Sequence, residues 1–171
     1  MKSIVIYSSL TGNTKQVAEA ITSVLPADTL CVSMKELPTD LSSYDLVFAG
    51  FWVGKGTANK EARDVLGTLH NSHIALFATA GVPPQMAHAK ESLINAANCL
   101  PDGVEPVGTF ICQGKVDPKV IEMMYKMFPK GHSHGQSADR DARHKQAAVH
   151  PNEVDFKAAQ DFANDILIKL S

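Results

Sequence analysis

Ser8, Ser9, Thr11, Asn13 and Thr14 crowd around a single glycine, Gly12, in the stretch YSSLTGNTK from Tyr7 to Lys15. Hydroxyls and a carboxamide are neutral hydrogen-bond donors. A polar turn between an apolar strand and an amphipathic helix also leaves free backbone N–H groups at the helix start. The chemistry that suits such a turn is anion binding, aided by the positive end of the helix dipole. No Lys or Arg lies inside the loop, and Lys15 only follows it. That favours one terminal phosphate held by neutral donors over a nucleotide triphosphate, whose loop would read GxxxxGK[ST]. GxGxxG is absent too. Ser, Thr and Asn are ordinary helix caps, but a cap needs one such residue, and here four hydroxyls and an amide fall within seven positions.

Other residues with chemical potential are sparser. Trp52, the only tryptophan, sits in GFWVGKGTA, Gly50 to Ala58, among three glycines. An indole there can stack on a flat ring and exclude water from it, or it can simply fill a core. Cys31, Cys99 and Cys112 are odd in number and far apart, without a CxxC pair. They indicate neither a disulfide framework nor a zinc site, and three buried, reduced thiols are expected. His132 and His134 in GHSHG lack a third ligand at fixed spacing, so no metal residue is assigned. No pattern of general base, nucleophile or metal centre stands out, and no catalytic residue is named.

The elements that must position these groups alternate. Apolar runs at Ser3 to Tyr7, Thr29 to Ser33, Leu46 to Gly50, Ile74 to Thr79 and Val107 to Cys112 predict five strands. Helical periods fall between them, at Asn13 to Leu25 (Val17, Ala20, Ile21, Val24, ended by Pro26), Asn59 to Leu69 and Pro84 to Leu100. Alternation of this kind predicts an α/β fold, a parallel sheet covered by helices on both faces. Asp117 to Phe128 reads as an extra helix. The following GHSHGQSADRDARHKQAAVHP reads as a long polar, His-rich loop, and the whole extra segment is basic through Lys126, Lys130, Arg140, Arg143 and Lys145, serving either as an anion-binding lid or as a solvated surface. A last helix after Pro151 and Asn152 is expected to dock through Val154, Ala158, Phe162, Ile166 and Leu170.

With these elements placed, YSSLTGNTK resembles the phosphate-binding loop of the flavodoxin family, in which an aromatic, one residue, Ser or Thr, two residues, Gly, one residue and Thr succeed one another. Tyr7, Ser9, Gly12 and Thr14 match those positions. GFWVGKGTA and FATAGVPP, Phe77 to Pro84, follow where the family has its two flavin-contacting loops. The resemblance implies a three-layer, doubly wound, five-stranded parallel sheet in the order 2-1-3-4-5, with FMN at its switch point. It also implies FMN-binding roles for Ser9, Leu10, Thr11, Gly12, Asn13 and Thr14 toward the phosphate, and for Trp52, Val53, Gly54, Thr79, Ala80 and Gly81 toward the isoalloxazine.

Two departures matter. The second loop carries Val82 and Pro83 where the family commonly has a tyrosine, so one flavin face is left for Met124, Tyr125 or Met127 to cover, or stays open. Carriers of the family tend to be strongly acidic, whereas the net charge here is only -2. The same near-neutral balance argues against nucleic-acid binding. The start MKSIVIYSS does not read as a signal peptide, and no apolar run of membrane-spanning length occurs, so a cytoplasmic chain without a membrane partner is expected. The expectation is one domain over residues 1–171, with the segment at about 117–150 added to it. Its function is FMN-mediated electron transfer to a redox partner protein or a small-molecule acceptor. The alternative is an FMN-dependent reductase of a quinone or linear tetrapyrrole.

Overall fold

The computed structural model describes residues 1–171. Five parallel strands, β1 (Ser3–Tyr7), β2 (Leu30–Ser33), β3 (Leu46–Gly54), β5 (His73–Ala80) and β6 (Gly108–Gln113), lie in the order β2-β1-β3-β5-β6. A two-residue strand, β4 (Thr57–Ala58), pairs antiparallel with the end of β3. Leaving that short strand aside, this is the expected 2-1-3-4-5 order. Alternation along each strand splits the core in two. Ile4, Ile6, Val47, Ala49, Phe51 and Leu76 face one side, where α2 (Lys60–Leu66) and α3 (Ala87–Ala97) cover them. Val5, Leu46, Phe48, Ala75 and Phe77 face the other, beneath α1 (Asn13–Thr22) and α6 (Glu153–Leu170). Phe48, Phe51 and Phe77 are wholly buried, each burial stabilising the fold by about 1.5–3 kcal/mol.

Several boundaries differ from the sequence reading, each for a physical reason. Rather than ending at Gly50, β3 runs on through Phe51, Trp52 and Val53 to a two-residue turn. Lys55 and Gly56 both have positive φ there (54° and 76°), the conformation that closes a tight hairpin between twisted strands. α1 stops at Thr22, because Val24 and Leu25 bond to the carbonyls of Ile21 and Thr22 and so tighten the last turn before Pro26. The polar stretch after Gly131 contains a helix, α5 (Ala138–Ala147), instead of being all loop. Ser137 caps it by accepting from the Arg140 amide, and Asp139 and Asp141 lie in its first turn with His144 and Lys145 in its last, so both ends suit the dipole. Its neighbour α4 (Pro118–Met127) begins with Asp117 as cap and Pro118 in the first turn.

On α6 the docking face is Ala159, Ala163 and Ile166, with Phe162 packed beside them. Val154 and Ala158 point to solvent, since a strict four-residue step drifts off the buried face of a 3.6-residue helix. Asn152 opens that helix with a reciprocal capping box to Asp155, whose Oδ2 accepts from the Asn152 amide (2.8 Å) and meets His150 Nδ1 (2.6 Å). All three cysteines are free, but only Cys112 is buried, while Cys31 and Cys99 are partly exposed. No helix is long and apolar enough to cross a membrane.

Candidate functional site

The C-terminal ends of β1, β3, β5 and β6 open onto one cleft. It is lined by Leu10, Thr11 and Asn13, by Trp52 and Val53, by Thr79, Ala80 and Gly81, and by the stretch Gly114 to Asp117 with Val120 of α4. Three chain segments that the sequence places far apart thus converge at one end of the sheet. Ser9, Gly12, Thr14 and Gly54 stand behind this lining and shape it.

The first segment is the turn before α1. Gly12 has φ +93°, a left-handed conformation that L side chains rarely adopt, and its amide donates to Ser9 Oγ (3.1 Å). No side chain caps α1, and its first turn holds no acidic residue. The amides of Asn13, Thr14 and Lys15 have no acceptor in the chain, and Thr11 is exposed beside them. A helix start with free amides, a glycine turn and an accessible hydroxyl has the donor set that a phosphate requires. Of the crowded polar residues, Ser8 points elsewhere. Its hydroxyl donates to Glu61 (2.5 Å) and accepts from Asn59 Nδ2 (2.8 Å), tying β1 to α2. Thr14 is buried and shares a 2.9 Å hydrogen bond with Thr79, locking the first segment to the third.

The second segment is the β3–β4 hairpin. Trp52 is half-buried, and a Cβ on Gly54 would come within 3.0 Å of the indole, so this glycine makes room for the ring. The backbone N–H of Asn59 donates to the Trp52 carbonyl at 3.1 Å, holding the strand end in place. The third segment is the end of β5. Thr79 and Ala80 belong to the strand itself, in register with Cys112 and Gln113 of β6. Cys112 packs in the core beneath α6, and burial pushes its thiol up to about 12, with Asp155 adding to the effect. Held as the neutral thiol, it fills space in the core. Gln113 is buried and donates to the Gly81 carbonyl (3.3 Å).

Sequence reasoning missed the fourth wall, Gly114 to Asp117. Asn13 Nδ2 donates to the Lys115 carbonyl (2.9 Å), and the Lys115 amide donates to the His150 carbonyl (2.8 Å). A Cβ on Gly81 would meet Val116 at 2.5 Å, so the loop lies against the bare backbone of that glycine. Lys115 thereby brings a cation to a rim whose own loop has none. Gly114 just after an apolar strand, with Asp117-Pro118 as a helix start, was the available signal.

No aromatic closes the second face of the cleft. Tyr125 turns away, its hydroxyl donating to Asp141 (2.9 Å), and Met127 is exposed. Val120 and Met124 are the residues of α4 that face inward. His132 and His134 pack around Phe128, with ring centroids 4.6 and 5.3 Å from it.

Comparison with known proteins finds relatives along nearly the whole chain. The pattern of the Flavodoxin domain matches residues 4–164. The flavodoxin-like domain-containing protein BilS of Clostridioides difficile (strain CD3) is 35% identical over 178 aligned positions, spanning 100% of this chain and 99% of that one. Among solved structures, a flavodoxin of Streptococcus pneumoniae TIGR4 superposes with a TM-score of 0.59 at 14% identity, covering 99% of both chains. A flavoprotein of Lactobacillus acidophilus NCFM, described in complex with FMN, gives a TM-score of 0.53 at 19% identity, over 65% of this chain and 93% of that one. At such identities these two likenesses speak for the fold.

Proposed function

Because the chain belongs to the flavodoxin domain family, we propose that it holds FMN non-covalently in the cleft at the sheet's C-terminal edge and passes electrons to a partner. The redox chemistry itself is supplied by FMN when bound. The observation that carries this reading is the set of unpartnered amides of Asn13, Thr14 and Lys15 beside exposed Thr11, at the same sheet edge as Trp52.

Each group has a role in that reading. Ser9 and Gly12 shape the turn, the α1 amides with Thr11 and Asn13 hold the phosphate, and Leu10 flanks it. Thr14 fixes the spacing between the phosphate turn and β5 through Thr79. Trp52 and Val53 cover one side of the ring system, with Gly54 leaving room for the indole. The backbone of Thr79, Ala80 and Gly81 meets the polar ring edge. No nucleophile is needed, since no bond to protein is made, and protons that accompany the electrons can come from solvent at the open face of the cleft. The receiver is a redox protein or a small acceptor, and residues 1–171 form one flavodoxin-like unit with 117–150 as its cover.

The test is a titration of purified protein with FMN and riboflavin, followed through quenching of flavin fluorescence. FMN should bind roughly tenfold or more tightly than riboflavin, and Thr11→Val should weaken FMN while sparing riboflavin. Equal affinities for the two flavins would remove the phosphate role from the α1 turn. Protein that ignores both would overturn the reading.

A further inference from the structure

We propose that the cavity between α5 and the β3–β4 turn is a second binding site, one for a small organic anion with an apolar body, such as an aromatic dicarboxylate. This goes beyond the electron-transfer reading and assigns no redox step to the ligand. The cavity measures about 660 Å³, within the size range of small-molecule sites. It shares Val53, Ala80 and Gly81 with the flavin cleft, so an occupant would lie directly alongside that cleft.

Its charge is one-sided. Lys55 from the hairpin turn faces Arg140 and Arg143 from α5, and no Asp or Glu lines the space. None of these three cations belongs to an ion pair, all of which are made by Lys15, Lys60, Lys126, His150 and Lys157. Of the two carboxylates on α5, Asp141 is engaged by the Tyr125 hydroxyl and Gln136, and Asp139 forms no ion pair with either arginine. Arg140 donates to the Ser133 carbonyl (2.7 Å), which aims its guanidinium while leaving its charge uncompensated. Two arginines three residues apart on one helix repel each other, and a carboxylate placed between them would relieve the repulsion and accept their paired N–H groups.

A second observation points the same way. Both ring nitrogens of His144, which lines the cavity, are shielded from solvent and have no hydrogen-bond partner in the chain. Shielded nitrogens without partners cost free energy, and a modest turn of this half-buried ring toward the cavity would let a polar ligand group recover it. Val82, Met86 and Met124 add apolar surface to the same cavity, and the methionines can adapt to the ligand's shape. Cations and apolar side chains share one hollow of a size that takes a small molecule.

The test uses calorimetric titration with naphthalene-2,6-dicarboxylate, its neutral isostere naphthalene-2,6-dicarboxamide, and a glutamate-rich peptide, on protein with and without added FMN. The dicarboxylate should bind in both states and the diamide in neither. Arg143→Gln, which removes no hydrogen bond of the fold, should weaken the dicarboxylate roughly fivefold, and Arg140→Gln with Arg143→Gln roughly tenfold or more. Both variants should keep FMN affinity, which shows that the scaffold is intact. Failure of the dicarboxylate to bind, equal binding of the diamide, or unchanged affinity in Arg143→Gln would overturn the proposal. Binding of the peptide in place of the dicarboxylate would overturn it in favour of a protein-docking face. Because the titration is run without FMN as well, a failed flavin reading leaves this result readable.

Discussion

Thr79 is 3% exposed and hydrogen-bonded to Thr14, itself 1% exposed, whereas α4, across the same cleft, has no buried residue. Between Asp117 and His150 only Gly135 and Ala147 are buried. The two sides of the cleft are thus held by different means. The strand ends inherit their positions from a sheet buried on both faces, where each residue is fixed by register and packing. The cover is held by helix caps, by exposed hydrogen bonds such as Tyr125 to Asp141, and by a few contacts at the rim. In local-stability terms, the cover should open long before the sheet does. A rigid wall suits a group that must be held in one place, and a loosely held wall suits ligands that come and go.

That contrast can be broken most directly in the core. A Cβ on Gly50 would lie 2.1 Å from the Phe77 ring, which is fully buried and has nowhere to move. Gly50→Ala should therefore cost about 3 kcal/mol by urea denaturation. Met123→Ala, at a half-exposed position on α4, should change stability by no more than about 0.5 kcal/mol. Comparable losses from the two would mean that the cover is as integral to the fold as the sheet.

A smaller effect is expected at the cleft itself. Trp52→Leu should weaken FMN and riboflavin alike by about tenfold, equivalent to about 1.4 kcal/mol, with no loss of folding stability. A loss confined to FMN would place the indole at the phosphate and not at the ring system. As Trp52 is the sole tryptophan, quenching of its emission on flavin addition reports the same contact.

The smallest effect concerns pH. Burial is the main cause of the lowered pKa of His144, and the Arg140 and Arg143 charges add to it, while Asp141 pulls the other way. Tyr125 from α4 packs against the imidazole, with ring centroids 6.0 Å apart. As pH falls past the ordinary histidine value of about 6.5, the unfolded segment takes up the proton more readily than the folded one. The stability that the neutral ring contributes is therefore complete above that pH and is lost below it. Hydrogen exchange corrected for intrinsic rates should show α5 amides losing protection toward acid while those of β5 hold steady. Constant or rising protection in α5 would sink this account.

Much of the scaffold was legible from local signals. Strands in a two-faced parallel sheet read as short apolar runs, and Gly12 with its polar neighbours marked the turn before α1, so the strands and the anion-suited helix start could be expected, while the sheet order came only with the resemblance to the flavodoxin family. The docking helix was legible as a helix but not to its exact face, because a four-residue step and a 3.6-residue turn diverge over five turns. α5 escaped notice because its evidence lay in caps and charge placement, while its composition is almost wholly polar.

By itself, then, the sequence determined the main strands and flanking helices, their alternation and the neutral donor turn, since each depends on residues within a few positions of one another. Only the tertiary structure decided that Ser8 serves α2 and not the cleft, that Lys115 stands beside the α1 turn, and that Lys55 faces Arg140 and Arg143 across one hollow. These pairings join residues 53, 102 and more than 80 positions apart. Parallel strands bring distant chain segments to the same sheet edge, and no local pattern records which side chains meet there.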